Sequence, residues 1–253
     1  MKRKRAQVLR WALLAAGTAA FVIIIANTGW WQAFLHYLFP SESPVLHPRA
    51  SLMLLVWEHI QLVAISSAIT VAIGIPLGIW VTRPSGRDFL PLVTDIVSFG
   101  QTFPPVAVLA LAVPVLGFGL VPTVVALFLY GLLPVVRNTI AGLRAVPPYL
   151  LDAASGMGMG RFQALWRVEI PLAAPVIIAG VRISVIINIG TAMIGAVIGA
   201  GGLGSPIIAG LVRDNLAFII EGALPAAMLA ILADQLLGNI EGAFSYEGRG
   251  VTI

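Results

Sequence analysis

Long stretches without a charged side chain constrain this sequence more than any other feature. The first runs from Trp11 to Phe34 and the second from Ile60 to Val81, and about 20 consecutive apolar residues suffice for a helix to cross a bilayer. Charged residues make up only 10% of the chain, whereas soluble domains contain about 25%. The sequence therefore argues against a water-soluble enzyme, a disordered regulator or a fibrous repeat, and it predicts a protein of the lipid bilayer.

Four further spans are expected where the remaining charges are sparse. They lie, in order, as two spans between Asp88 and Arg137, one between Glu169 and the glycines at 199–204, and one at Leu216–Leu237. The break between the third and the fourth span falls near Gly117. Six spans would place both ends of the chain on the same side of the membrane.

The distribution of basic residues tests this count, because cytoplasmic segments of membrane proteins carry an excess of Lys and Arg. With six spans, twelve basic residues lie on one face and only Arg49 and Arg213 on the other. The twelve are Lys2, Arg3, Lys4, Arg5, Arg10, Arg83, Arg87, Arg137, Arg144, Arg161, Arg167 and Arg249. This asymmetry supports the six-span count and predicts a cytoplasmic N-terminus.

The start of the chain admits two interpretations. A secretory signal peptide has a basic head but only about 7–15 apolar residues, followed by a cleavage site between small residues. The uncharged run from Trp11 is longer, and no clear site of that kind follows it. We therefore favour an uncleaved first helix, with Trp30 and Trp31 anchoring its far end at the membrane interface. Residues 36–58 are expected to form a loop outside the bilayer.

The loop between the fourth and fifth spans carries a spaced motif. Asp152, Ala153 and Ala154 are followed after three residues by Gly158, and after nine more by Val168, Ile170 and Pro171. The pattern resembles the loop E-A-A-x3-G-x9-I-x-L-P of the membrane subunits of ABC importers. The two alanines, the glycine and the proline match outright, and the other three residues are conservative replacements. The spacing matches without a gap, and the loop lies on the face predicted to be cytoplasmic.

Local sequence rules favour a helix–turn–helix in this loop. Pro147 and Pro148 can begin a helix that continues over Tyr149–Ser155, and the glycines at 156, 158 and 160 allow the backbone to turn. A second helix over Arg161–Val168 would place Phe162, Leu165 and Trp166 on one face. An apolar face on a short cytoplasmic helix needs a partner, although an amphipathic loop packed on its own bundle would also produce it.

The resemblance to ABC importer permeases implies specific partners and roles. In that family the loop docks into a groove on the ATPase subunit and transmits its closure. The residues that would carry this role here are Asp152, Ala153, Ala154, Gly158, Phe162, Trp166, Ile170 and Pro171. The resemblance further implies an all-α MetI-like bundle in the bacterial inner membrane, a second permease copy or paralogue, and a periplasmic or extracellular solute-binding protein. ATP and Mg would be bound by the ATPase, with no cofactor or nucleic acid bound by this chain.

Further motifs are similar to those of the glycine betaine, carnitine and choline group of osmoprotectant permeases. They are found at 74–78, 101–105, 127–134, 137–139, 188–192 and 198–204. The resemblance covers about 58–240, which we take as the permease domain. Residues 1–57 then form an added N-terminal helix with an external loop, and residues 241–253 a cytoplasmic tail.

Polar residues within predicted spans are candidates for a transport route, because they are costly in a bilayer. Asp95, Ser98 and Thr102 share one helix face, and Gln101 and Pro104 adjoin them. Hydrogen bonding between helices and a structural kink explain these residues equally well.

In the fifth span, Asn188 and Thr191 are also candidates for the route. Amide and small side chains let helices approach closely and bond to each other. Packing between helices is therefore the competing interpretation for both residues.

Other chemistries find little support in the sequence. The glycines at 199–204 lack the Gly-Lys-Ser/Thr ending of a phosphate-binding loop and are expected to form an external turn. His36, His47 and His59 fit no common metal spacing, and neither a metal site nor a catalytic constellation stands out. The alternative function is a self-sufficient ion-coupled transporter or channel, which would need ionisable residues deep in the bundle.

Overall fold

A computed structural model describes residues 2–244, with side chains from Gln7 onward. Every regular element in this range is helical. The helices are α1 (Lys2–Ala26), α2 (Thr28–Leu38), α3 (Leu52–Trp80), α4 (Leu90–Thr102), α5 (Pro105–Leu116), α6 (Leu120–Arg144), α7 (Pro148–Gly156), α8 (Arg161–Ala164), α9 (Ile170–Thr191), α10 (Gly204–Arg213) and α11 (Leu216–Phe244). A π-helical turn (Leu165–Glu169) joins α8 to α9, and 3-10 turns cover Arg87–Phe89 and Ala192–Ile198.

Five of the helical units are long and apolar enough to cross a membrane: α1, α3, α6, the unit Arg161–Ile198 and α11. The predicted third span differs, because α4 and α5 meet at an angle of 95°. Phe103 and Pro104 form the break with extended backbone, since proline disfavours helix in the residue before it. Counting this bent pair as one span gives the six that the sequence predicts.

The predicted first span ends earlier than expected. Asn27 interrupts the helix, and its side chain accepts a hydrogen bond from the backbone N–H of Trp30 (3.1 Å), as an N-cap residue does. The chain resumes as α2, in which Trp31 is 3% exposed and packs beside Phe21 and Leu35. Trp31 is therefore a core residue, and only the exposed Trp30 remains free to anchor at an interface.

Two loops are shorter than expected. Ser51 caps α3 by accepting from the backbone N–H of Leu54 (3.3 Å), so the outer loop covers 39–51 instead of 36–58. At the other face α6 continues to Arg144, which places Arg137 within the helix. The last predicted segment also changes, because α11 extends through Phe244 and residues 245–253 lie outside the described range.

The glycines at 199–204 turn back into the protein. Gly199, Gly201 and Gly202 adopt positive φ angles of 77°, 79° and 76°, a conformation that favours glycine. The backbone N–H of Gly202 donates to Glu58 Oε2 (2.8 Å), and α10 follows directly. Within this segment Gly199 is exposed, whereas Gly202, Leu203 and Gly204 are buried.

Small residues allow α3, α6 and α9 to pack closely at the centre of the bundle. A Cβ atom on Gly74 would lie 2.9 Å from a Val135 methyl group, and one on Gly78 would lie 2.7 Å from Thr139 Cβ. This Gly-x-x-x-Gly spacing lets helix backbones approach in lipid. The helix pair α10–α11 packs against this core, and α1 packs on α11.

Candidate coupling surface and transport route

The spaced motif forms a compact turn at the end of the bundle where α6 ends and α9 begins. Three backbone hydrogen bonds close it, from the N–H groups of Met157, Gly158 and Met159 to the carbonyls of Ala153, Ser155 and Ala154 (2.9–3.0 Å). Gly158 has φ +79°, and a Cβ atom there would touch nothing within 4 Å. The glycine is therefore required by backbone conformation and not by crowding within this chain.

Exposed apolar side chains surround this turn. Tyr149, Met157, Phe162 and Trp166 are 67%, 70%, 75% and 54% exposed, and the rings of Phe162 and Trp166 contact edge to face at 6.1 Å. We call these four residues the apolar patch. Asp152 and Ala153 are exposed next to it. Exposed apolar surface of this kind marks an interaction site.

Other motif residues form the base of this surface. Ala154 is 1% exposed, so it packs within the chain and only Asp152 and Ala153 remain open to a neighbour. Leu165 and Ile170 pack against the cluster formed by Leu143, Ala173 and Ile177. Leu165 therefore does not share the outer face of Phe162 and Trp166 as expected, because the π-helical turn rotates the chain there. Pro171 lies in the first turn of α9.

An ion pair that the motif does not reveal connects this surface to α3. Arg83 follows α3, and its Nη1 and Nη2 donate to both carboxylate oxygens of Glu169 (2.8 and 2.6 Å). Glu169 is 7% exposed and ends the π-helical turn, a feature common at functional sites. A bidentate pair is geometrically specific, so it fixes the orientation of α8 relative to α3.

The bend between α4 and α5 is held by α6. The Tyr130 hydroxyl donates to the carbonyl of Phe103, and Gln101 Nε2 donates to the carbonyl of Tyr130 (2.6 Å). These bonds provide partners at the helix break, which lipid cannot do. Gln101 and Pro104 thus lie together at the bend, as the sequence suggests.

The other polar residues of α4 are divided between its own backbone and α6. Ser98 Oγ donates to the carbonyl of Thr94 (2.6 Å) and accepts from Arg137 Nη2 (3.1 Å). Thr102 bonds to the carbonyl of Phe99 (2.7 Å). Asp95 and Thr102 are exposed on α4.

Asn188 lies in a different environment from these residues. It is fully buried, and its Nδ2 lies 3.4 Å from Ser66 Oγ and 3.3 Å from Ser67 Oγ of α3. Ser184 is buried one turn away in α9. Asn188 thus bonds across helices, and among the candidates in the fifth span only Thr191 is partly exposed.

A cluster of charges links α9 to α11. Arg182 Nε and Nη2 donate to the two carboxylate oxygens of Asp234 (2.6 and 2.8 Å), and Nη1 donates to Glu241 (3.1 Å). We call these three residues the charge triad. The sequence shows each charge but not the pairing, because the partners are 52 and 59 residues apart.

At the opposite face the outer loop lies against α11. The backbone N–H of His47 donates to Glu221 Oε2 (2.7 Å), and the His47 ring contacts Phe218 edge to face. Burial lowers the pKa of His47, and the charges of Arg49 and Arg213 lower it further. The lowered pKa favours the neutral imidazole at this contact between loop and helix.

Comparison with known proteins settles the family. The profile of one family, described as "Binding-protein-dependent transport system inner membrane component", matches residues 74–244. The chain belongs to this family. It is a membrane-spanning permease subunit of an ABC importer, and the motif at 152–171 lies inside the matched range.

Curated relatives of this permease are similar over most of their length. The osmoprotectant import permease protein OsmY of Salmonella typhimurium is 43% identical over 189 residues, which cover 75% of this chain and 80% of the relative. The choline transport system permease protein OpuBB of Bacillus subtilis is 43% identical, covering 73% and 84%. The carnitine transport permease protein OpuCD of Listeria monocytogenes is 42% identical, covering 73% and 82%.

Solved structures support the same fold. A chain of the MetNI methionine ABC transporter in an inward-facing conformation aligns with a TM-score of 0.69 at 25% identity. The alignment covers 77% of the permease and 96% of that chain. A second crystal form of the same transporter gives a TM-score of 0.67 at 24% identity. The predicted all-α MetI-like fold is confirmed.

Proposed function

We propose that this permease imports a small compatible solute, specifically a quaternary amine such as glycine betaine, choline or carnitine. The support is the function of the relatives, which are named as permeases for osmoprotectants, choline or carnitine and are identical to this chain at more than 40% of the aligned residues. A separate periplasmic or extracellular solute-binding protein would recognise the solute and deliver it.

We propose that the protein lies in the bacterial inner membrane with the apolar patch and the N-terminus in the cytoplasm. Arg83, Arg87, Arg144, Arg161 and Arg167 all lie at the end of the bundle that carries the patch, whereas Arg49 and Arg213 lie at the other end. Positive residues favour the cytoplasmic side. The binding protein would then meet the face formed by the outer loop and α10.

The coupling role is supported by the exposed apolar patch, which lies on a segment packed firmly against the rest of the chain. Phe162 and Trp166 project from a segment whose inner side is packed through Leu165 and held to α3 by Glu169. A neighbour that binds the patch and Asp152 therefore moves α9 and α3 together. We identify this neighbour as an ABC ATPase subunit, which would bind ATP and Mg. The permease itself would be non-catalytic.

The route lies at the bend between α4 and α5 in this proposal. Asp95, Ser98, Gln101, Thr102 and Pro104 follow one another along α4 to the break. Two permease subunits, copies or paralogues, would face each other across these residues. Closure of the ATPases would shift the pair between inward-open and outward-open states, an equilibrium biased by ligand. The transport unit is 58–240, with 1–57 as an added segment.

Substitution of Gly158 tests the coupling role. Gly158→Asp places a charge at the turn without a clash, since a Cβ atom there meets nothing within 4 Å, and Asp tolerates positive φ better than most residues. In proteoliposomes with the ATPase and binding protein, we expect choline uptake to fall about tenfold or more, equivalent to about 1.4 kcal/mol, while ATP hydrolysis continues.

Two matched variants separate the effect of the added charge at position 158 from the effects of side-chain size and of a charge elsewhere. Gly158→Asn has the same size without the charge and should retain most of the uptake. Gly242→Asp adds a charge at another glycine whose Cβ would meet nothing within 4 Å, in α11, and should transport normally. Full uptake by Gly158→Asp would contradict the coupling role. Choline flux driven by an ion gradient without the ATPase would instead favour the ion-coupled alternative.

A further inference from the structure

A groove of about 750 Å3 runs between α1 and α11. The helices touch at Gly17, where a Cβ atom would lie 3.3 Å from a Leu232 methyl group. Leu13 and Ile231 line the groove and are 60% and 57% exposed. In a membrane such an opening faces lipid, because both helices belong to spanning segments.

The groove is polar at one end and apolar along the rest. Arg10, Asp234 and Asn239 lie at the end near the start of α1 and the end of α11, and Phe21 and Met228 lie deeper. A phospholipid has the same order, with a headgroup at the membrane surface and acyl chains below. Charged side chains facing hydrocarbon are costly, so the polar end suits a headgroup better than an acyl chain.

The charges at this end are complementary to a zwitterion. Arg182 carries one positive charge and bonds to two carboxylates, those of Asp234 and Glu241, so the charge triad retains one negative charge. On α1, no carboxylate among the described side chains lies within 4.0 Å of Arg10. Arg10 and the Asp234 carboxylate of this triad therefore place charges of both signs along the same groove.

We propose that this groove binds an inner-leaflet phospholipid whose headgroup carries a phosphate and a primary ammonium, phosphatidylethanolamine in chemical class. The phosphate lies against Arg10, and the ammonium donates hydrogen bonds to the free acceptor sites of Asp234, the carboxylate that lines the groove. One acyl chain follows Leu13, Gly17 and Phe21 along α1. Basic pockets between helices near the cytoplasmic face bind lipid headgroups in other membrane proteins.

A primary ammonium fits this site better than other headgroups do. It has three donors, whereas a trimethylammonium has none, and the carboxylates of the triad have lone pairs beyond those that Arg182 occupies. An anionic headgroup such as phosphatidylglycerol would satisfy Arg10 but would add a negative charge beside the triad. The site therefore discriminates by the number of donors and by charge.

Native mass spectrometry of the assembled transporter tests the proposal. The full-length permease, with its ATPase subunits, is mixed in detergent with phosphatidylethanolamine, its mono-, di- and trimethylated forms, and phosphatidylglycerol at matched acyl chains. We expect retention to fall with each added methyl group. Arg10→Gln should reduce retained phosphatidylethanolamine about fivefold, the effect of one basic contact at a membrane surface.

A second pair of variants tests the groove independently of charge. Ala20 lines the groove and Ala19 lies on another face of α1, so Ala20→Trp should exclude the lipid whereas Ala19→Trp should not. Arg144→Gln, at the same end of the bundle but outside the groove, is the charge control. Both controls should retain lipid as the wild type does.

Two results would overturn the proposal. Equal retention of phosphatidylethanolamine by wild type, Arg10→Gln and Ala20→Trp would exclude a lipid at this site. A crosslink between single cysteines at position 20 of two permease copies would show that protein covers the groove. Neither result bears on choline uptake, so the proposed function would be unaffected.

Discussion

At the scale of single residues, the Arg83–Glu169 pair shows how buried charge can orient a functional element. Its two hydrogen bonds of 2.6–2.8 Å join positions 86 residues apart. Glu169 is buried and Arg83 is partly exposed, so removing Arg83 leaves the buried carboxylate without its charge partner. The neighbouring pair Arg87–Asp88 is exposed, with 3.7 Å between its charged atoms, and exposed pairs contribute little.

Glu169→Gln is expected to impair coupling more than assembly. The change removes one charge-assisted bond of a kind that contributes about 1.5–3 kcal/mol, so thermal stability should fall and uptake per ATP hydrolysed should decrease severalfold. Uptake, ATP hydrolysis and melting temperature are measured on the same reconstituted sample. Arg87→Gln serves as the control and should change none of them.

A charge reversal extends this test. The double variant Arg83→Glu with Glu169→Arg should recover part of the loss that either single change causes, because the pair interacts directly. Recovery of stability without recovery of uptake would show that the pair only supports the fold. The coupling role assigned to the pair would then be wrong.

His47 supplies a pH-dependent contact at the opposite face. Its folded-state pKa lies below the unfolded value because of burial, Arg49 and Arg213. The unfolded loop therefore binds more protons, and stability rises with pH through this window. The contribution is fully present above the ordinary histidine pKa of about 6.5 and is lost as the pH falls through the lower, folded-state value.

Hydrogen exchange over residues 39–51 measures this effect. We expect exchange, corrected for its intrinsic pH dependence, to speed up as the pH falls from 7.5 to 5.5. His47→Gln should weaken the dependence, because it removes the imidazole while its backbone N–H can still donate to Glu221. His36→Gln is the matched control, because His36 is exposed in α2 and should leave the profile unchanged.

At the scale of helices, close packing of α3 on α6 depends on Gly74 and Gly78. A side chain at either position would meet α6 at less than 3.0 Å, so the helices must separate to accommodate it. Overpacking of this kind typically costs about 1–3 kcal/mol. The same two residues belong to a motif that the sequence associates with the osmoprotectant group.

Gly78→Val is expected to lower the thermal stability of the purified permease by several degrees and to reduce uptake. The cause is displacement of α3 from Thr139 and Val136 of α6. Gly190→Val in α9 is the control, because a Cβ atom there would meet nothing within 4 Å. Equal melting temperatures for the two variants would argue against the packing described here.

At the scale of the whole molecule, the two ends of the helix bundle carry different sets of residues. α3, α6 and α11 end where α9 begins, so the apolar patch, Arg83 and the charge triad lie toward one end of the bundle. Glu58, the glycine turn and the outer loop lie at the other end. The added α1 packs on the bundle through buried Phe21 and Ile25, so it is part of the same body.

The sidedness can be measured directly, because the chain contains no cysteine. Single-cysteine variants Arg161→Cys and Arg213→Cys are treated in intact cells with a thiol reagent that cannot cross the membrane. We expect labelling at position 213 and protection at 161, with the pattern reversed in inside-out vesicles. Labelling of Arg161→Cys from outside would invalidate both the topology and the coupling surface.

Much of this architecture follows from sequence patterns alone. An apolar run of about 20 residues has few alternatives to a spanning helix in lipid, so the positions and number of spans are largely determined before folding. Gly158 is similarly predictable, because its role depends on local backbone conformation. The family resemblance rests on the same local spacing, and the comparisons confirm it.

Features that depend on contacts between distant residues could be established only from the tertiary structure. The sequence shows Arg182, Asp234 and Glu241 but not that they bond, and it shows Leu165 beside Trp166 but not that a π-helical turn directs them to different surroundings. Gly202 is buried where Glu58, 144 residues earlier, accepts its N–H. Local pattern determines which segments enter the membrane, whereas long-range hydrogen bonds and packing determine which side chains meet.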